Sequence, residues 1–185
     1  MQNIKIKELE TERLILRKIT KDDAENMYNN WANDPLVAKY VIWAVHKNIE
    51  ETKEVIKMWT ENYQKDDFYL WVVESKEDNT IIGTIEISKV ELEKETAEIG
   101  YCYGRKWWNK GYGTETLKKV LNFAFNELDC HLIYATHYAE NKASGKVMKK
   151  SGMKYEATLR DRIKYDNNER DNYIIYSITK EEFNK

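Results

Sequence analysis

The stretch best suited to chemistry is Lys106-Trp107-Trp108-Asn109-Lys110-Gly111-Tyr112-Gly113-Thr114. A strand-like run ends just before it, near Tyr103, and the best-patterned helix of the chain follows it. The first turn of a helix leaves N–H groups without internal partners, and the aligned peptide dipoles make that end electropositive. A phosphate or pyrophosphate is the natural ligand for such a place. Gly111 and Gly113 let the main chain approach a ligand closely, and Lys106 and Lys110 add positive charge. The P-loop pattern needs Gly-Lys-Ser/Thr after a four-residue gap, and no such run exists. The dinucleotide fingerprint also fails, because Thr116 stands where the third glycine of GxGxxG belongs. For a GxG alone, a helix start with no ligand stays open. A second polar pattern lies downstream, in Asn141-Lys142-Ala143-Ser144 followed by Lys149-Lys150-Ser151-Gly152-Met153. Asn141 there reads as an N-cap and Gly152 as a helix stop.

The elements that must hold these segments follow from hydrophobic spacing. Arg13 to Ile19 reads as a strand, with Leu14 and Leu16 alternating. Thr20 followed by Asp23 predicts a helix start, and Ala24, Met27, Tyr28 and Trp31 continue at helical spacing. Asn33-Asp34-Pro35 ends that helix, since the residue before proline avoids the α region. A second helix is expected from about Ile49 to Tyr63. The period then changes: 68–74, 80–88 and 96–103 are rich in β-branched and aromatic residues, which predicts three successive antiparallel strands. Leu117, Val120, Leu121, Ala124, Phe125 and Leu128 form one helical stripe. A strand over 131–138, a short helix over 141–151 and strands over 154–165 and 170–178 complete the order, the last two joined by an Asp166-Asn167-Asn168 turn. The helix between the strands at Thr96 and His131 suits a crossover between parallel neighbours. The sheet is therefore expected to be mixed.

Composition narrows the function. The 185 residues suit one domain over 1–185. Thirty basic against 32 acidic residues leave a net charge of -2, which argues against a dedicated nucleic-acid binder. A hydrophobic content of 42% argues against disorder. No run approaches the length of a membrane helix, and the first 20 residues hold no signal-peptide core. Cys102 and Cys130 form neither a disulfide framework nor a CxxC pair, as expected of two thiols in a reducing cytoplasm. No metal is expected.

Taken together, these segments resemble the GNAT superfamily of acetyl-CoA-dependent N-acetyltransferases, and within it the branch that acetylates ribosomal-protein N-termini. The residues carrying the resemblance are 11–17 (Thr-Glu-Arg-Leu-Ile-Leu-Arg), Asn33-Asp34-Pro35, 82–85, 97–101, 108–115 and 141–153. One place departs from the superfamily pattern. Trp108 stands where Gln or Arg usually lies three residues before the first glycine. The resemblance implies an α/β fold, a mixed and mostly antiparallel sheet of six to seven strands flanked by about four helices. It implies that Tyr101, Cys102 and Tyr103 run beside the pantetheine arm. Lys106 and the run Trp108, Asn109, Lys110, Gly111, Tyr112, Gly113 and Thr114 would hold the pyrophosphate. Asn141 and Ser144 would lie near the cofactor sulfur.

The implied reaction is attack of a neutral amine on a thioester carbonyl. Ser144 is the candidate proton donor to the departing thiolate; simple helix capping is its other role, and the two can coexist. Glu86 and Glu98, on adjacent strands, are candidates to orient or deprotonate the amine, against a reading as solvent-facing sheet carboxylates. None of His46, His131 and His137 sits in a motif. No cysteine is placed as an acyl carrier; Cys102 reads as pantetheine packing. The expected function is transfer from acetyl-CoA to a protein N-terminal amine in a ternary complex, in a cytoplasmic monomer or homodimer without nucleic-acid or membrane partners. A small-molecule amine acetyltransferase and a silent acetyl-CoA-binding module are the alternatives.

Overall fold

A computed structural model describes residues 4–91, 93–165 and 168–185. The chain opens with β1 (Leu9–Glu10) and β2 (Leu14–Arg17). Helix α1 (Ala24–Met27) runs into a π-helical turn, Tyr28–Ala32, and α2 (Pro35–Ala38) follows. Next come α3 (Ile49–Asn62), β3 (Tyr69–Ser75), β4 (Ile81–Glu91) and β5 (Thr96–Tyr103). The remainder is α4 (Tyr112–Asn126), β6 (Leu132–Tyr138), α5 (Lys142–Lys150), β7 (Lys154–Lys164), β8 (Arg170–Thr179) and α6 (Lys180–Phe183).

All eight strands form one sheet in the order β1-β2-β3-β4-β5-β6-β8-β7. Every neighbouring pair is antiparallel except β5 and β6, which the α4 crossover makes parallel. This is the expected fold class, with one more strand and two more helices than foreseen among the described residues. The added elements, β1, α2 and α6, are two to four residues long, too short for hydrophobic periodicity to reveal. Pro35 both ends one helix and starts the next. It occupies the first turn of α2, where its missing N–H costs nothing, and the Asp34 side chain accepts from Leu36 N. The expected single helix over 24–31 widens instead into the π turn, closed by Asn33 N–H donating to Tyr28 O at 3.2 Å. Trp31 and its neighbour Ala32 are both buried there. Residues 166 and 167 of the expected Asp166-Asn167-Asn168 turn lie outside the described residues.

Helices cover both faces of the sheet. On one face the buried stripe of α4 (Leu117, Val120, Leu121, Ala124, Phe125) packs on Leu14, Leu16, Trp71, Ile85, Ile99 and Ile133. On the other, Ala24, Met27, Trp31 and Ile56 from α1, the π turn and α3 pack on Leu70, Val72 and Ile81. Strand alternation sends successive side chains to opposite layers, so residue parity on β4, β5 and β6 decides which layer each functional side chain meets.

Candidate active site

The site begins where the sheet comes apart. Strands β5 and β6 pair only at Thr96–Leu132, Ala97–Ile133 and Glu98–Tyr134. Beyond Glu98, β5 continues to Tyr103 bonded to β4 alone, while β6 continues to Tyr138 bonded to β8. The result is a fork in which, among the described residues, one backbone edge of β5 has no strand partner beyond Glu98. Ala97, Ile99, Tyr101 and Tyr103 face the α4 layer. Glu98, Gly100 and Cys102 face the other way, toward the layer of α1 to α3.

The loop after β5 and the start of α4 form the cradle expected from the sequence. Asn109 (φ 59°) and Gly111 (φ 85°) are both left-handed, and Gly111 caps α4. The N–H groups of Asn109, Lys110, Gly111, Tyr112, Gly113 and Thr114 donate to no protein acceptor among the described residues. That row of free donors at a helix N-terminus fits a diphosphate. The Trp108 indole N–H donates to Tyr103 O at 2.7 Å, tying the loop to the end of β5. Trp108 thus anchors the loop at the place where the superfamily pattern has Gln or Arg. Lys110 lies in the loop itself. Lys106 lines a surface hollow of about 500 Å³ shared with Asn29, Asn33, Asp34 and Arg105.

The brace on this loop comes from the far N-terminal end of the chain. Arg13 Nε donates to Glu115 Oε2 at 2.7 Å, Arg13 Nη1 donates to Lys110 O at 3.2 Å, and the guanidinium lies 4.4 Å from the Tyr112 ring centroid. Glu115 Oε1 also accepts from Thr11 Oγ1 and from Arg13 N. The motif at 11–17 carried the only signal, and its spacing gives no hint of a partner a hundred residues away.

Across the fork, the Asn141 side chain accepts from Ser144 N at 3.2 Å and caps α5. Tyr101 Oη lies 3.0 Å from Ser144 O and 2.9 Å from Ser144 Oγ. With the phenol donating to the carbonyl, the serine hydroxyl donates to the phenol oxygen. Tyr101, Asn141 and Ser144 therefore meet on the α4 and α5 side. Burial pushes the Tyr101 phenol well above its ordinary value, so it stays protonated. Tyr103 lies on the same side, and a Cβ on Gly113 would stand 3.4 Å from its ring. His137 is buried on this side too, its Nδ1 against Tyr138 O at 2.8 Å and its Nε2 facing Gly145. It packs α5 against the sheet.

Glu98 does not face solvent, contrary to one of its expected readings, and Glu86 does so only in part. Glu98 is buried; it accepts from Thr136 Oγ1 at 2.8 Å and pairs with Lys89 Nζ at 2.5 Å. Glu86 is half-buried opposite Gly100, whose missing side chain leaves room for it: a Cβ there would lie 3.2 Å from Glu86 Oε1. Burial raises the Glu86 carboxyl above its ordinary value, and the nearby charge of Glu98 adds to the rise. Cys102 is the third residue on this face. It packs against the layer of α1 and α3 and not beside Tyr101 and Tyr103, because strand parity turns it the other way. Burial pushes its thiol up to about 12, which leaves it protonated and poorly nucleophilic at neutral pH.

Known proteins match this architecture. The model of the acetyltransferase (GNAT) domain matches residues 13–154. An uncharacterized N-acetyltransferase of Bacillus subtilis, YoaA, is 32% identical over 172 residues, covering 93% of this chain and 96% of that protein. A crystal structure of a GNAT-family acetyltransferase from Bacillus anthracis superposes with a TM-score of 0.82 at 30% identity, covering 95% of this chain and 99% of that one. The ribosomal protein uS5-alanine N-acetyltransferase of Escherichia coli is 23% identical over 175 residues, covering 92% of this chain and 90% of that protein. The chain belongs to the GNAT family and is an acetyl-CoA-dependent N-acetyltransferase. No helix among the described residues is long and apolar enough to cross a membrane.

Proposed function

We propose that this enzyme acetylates a protein N-terminal α-amine of the ribosomal-protein type by direct attack in a ternary complex. The fork between β5 and β6 carries the reading, because it joins two chemically distinct sides. On one side are the free N–H groups of 109–114, Tyr101, Asn141 and Ser144. On the other are Glu86 and Glu98. The diphosphate of acetyl-CoA lies on the α4 cradle, its pantetheine arm runs along the unpaired edge of β5, and its thioester reaches the fork.

Glu98 and Glu86 hold the incoming amine and accept its proton, directly or through water. A free N–H on the β5 edge beyond Glu98 stabilises the oxyanion as the carbon–nitrogen bond forms. The carbon–sulfur bond then breaks, and the Ser144 hydroxyl, oriented by the protonated Tyr101 phenol, gives the thiolate its proton and takes one back from water. A reference α-amine has a pKa of about 7.7–8.0 against about 10.4 for lysine, so it offers a usable neutral fraction to two carboxylate bases without a histidine. A protonated Cys102 supports transfer without an acyl-enzyme. The likeness to the uS5-alanine enzyme of Escherichia coli supports a protein N-terminus as acceptor.

Mass spectrometry of acetyl transfer onto N-terminal peptides, polyamines, amino acids and aminoglycosides tests this. Transfer to peptides ahead of small amines is the expected result. Faster transfer to a small amine would replace the acceptor, and CoA binding without any transfer would leave a silent module.

A further inference from the structure

Two of the protein's own ammonium groups sit on the acceptor side of the fork. Lys89 Nζ pairs with Glu98 Oε2 at 2.5 Å. Lys39 Nζ lies 2.8 Å from Glu140 Oε2, with the ring centroids of Tyr40 and Tyr165 at 5.0 and 5.8 Å. A run of tyrosines connects the two places. The Tyr173 hydroxyl is 2.7 Å from Thr136 Oγ1, which donates to Glu98. The Tyr138 ring lies 6.1 Å from Tyr173, 6.0 Å from Tyr165 and 6.2 Å from Tyr40. Asp171 fixes the far end, accepting from both Tyr165 Oη and Glu140 N at 3.1 Å.

A carboxylate beside tyrosine faces attracts a cation, through charge at one flank and ring quadrupole at the other. Both present tenants reach solvent, the Lys89 and Lys39 side chains being 65% and 43% exposed, and the Lys39–Glu140 pair, open on both partners, contributes little. The tyrosine rings between the two carboxylates suit an apolar spacer. We propose that the acceptor is a dication. Its reactive ammonium displaces Lys89 at Glu98, and a second ammonium or guanidinium displaces Lys39 at Glu140, Tyr40 and Tyr165. The proposal rests on the acetyl-transfer reading above and names the class of acceptor. A diamine and a basic N-terminal peptide share this chemistry.

Two matched pairs separate these sources: diaminobutane against butylamine, and an Ala-Arg peptide against its Ala-citrulline counterpart. With saturating acetyl-CoA, kcat/KM for the dication of one pair should exceed that of its partner by about tenfold. The pair that shows the preference identifies the source. Lys39→Met should widen the ratio by removing a competitor, while Glu140→Gln and Tyr165→Leu should narrow it. A loss of packing alone would not move these variants in opposite directions. Equal rates within both pairs, or a ratio that narrows in Lys39→Met, would overturn the dication and leave acetyl transfer standing. Absence of transfer to all four acceptors would overturn the acceptor reading on which the proposal rests.

Discussion

Single atoms divide the labour at the fork. Among the described residues, Ser144 Oγ has one hydrogen-bond partner, Tyr101 Oη, and on the proposed mechanism it is the donor to the departing thiolate. Removing that hydroxyl takes away a proton donor but leaves the cradle N–H groups in place. Ser144→Ala should therefore lower kcat by about tenfold to a hundredfold, at the low end of general-acid effects. The CoA affinity measured by calorimetry should stay close to that of the wild type; an unchanged kcat would reduce Ser144 to a capping residue. Glu86 makes a separate prediction through pH. A base must be ionised to work, and burial together with the Glu98 charge raises the Glu86 carboxyl. At a given acidic pH less of it is carboxylate, so activity fails from a higher pH than the ordinary glutamate value of about 4.3 would give. The acid limb of kcat, with both substrates saturating, should lie above that value and vanish in Glu86→Gln. A limb that survives the substitution unmoved belongs to another group.

At the scale of elements, the N-terminal strand and the cradle form one unit. Arg13 links the residue before β2 to Glu115 in the first turn of α4, to Lys110 O and to the Tyr112 ring. Without this brace the left-handed residues Asn109 and Gly111 hold the loop less firmly. Arg13→Met should weaken CoA binding by about three- to tenfold, a discounted value because the guanidinium is partly exposed. Titration calorimetry that finds equal affinity would show the loop to be rigid by itself. Helix α5 depends on a different close approach. A Cβ on Gly145 would stand 2.7 Å from His137 Nε2, so Gly145→Ala must displace either the buried His137 ring or α5. A loss of about 1–3 kcal/mol in urea unfolding is expected, the range for overpacking. Much of this layout was legible in the sequence. The α4 stripe, the change to strand period after Phe68 and the Asn141 cap are all local patterns, and local patterns survive in one dimension. The partners were not legible. Nothing near Arg13 points to Glu115, nothing near Gly100 points to Glu86, and the parity that turns Cys102 away from Tyr101 depends on the strand register. The π turn was also hidden, because an extra residue in one helical turn leaves the preceding hydrophobic spacing intact.

At the scale of the whole molecule, the layer of α1 to α3 is joined to the sheet by ionic contacts as well as apolar ones. Arg17 at the end of β2 donates from Nη1 and Nη2 to Asp23 at 2.8 Å each, and from Nε to Glu74 on β3 at 2.6 Å. Asp23 also accepts from Thr20 N at 2.8 Å, which fixes the entry into α1. Burial works against the Asp23 charge, but the Arg17 and Thr20 hydrogen bonds outweigh it and hold the carboxyl below its ordinary value. A group depressed in the folded state adds stability above its unfolded pKa, about 3.9 for aspartate, and that stability is lost as pH falls through the folded value. Arg17→Met should cost about 2–3 kcal/mol near neutral pH, below the range for a fully buried pair because the guanidinium keeps some contact with water. The difference between wild type and variant should shrink on acidification, because protonated Asp23 no longer gains from Arg17. Urea unfolding of both proteins across that range measures the gap. A gap that stays constant with pH would assign the Arg17 contribution to packing of its alkyl chain against the sheet, and the ionic link between the two layers would have to be abandoned.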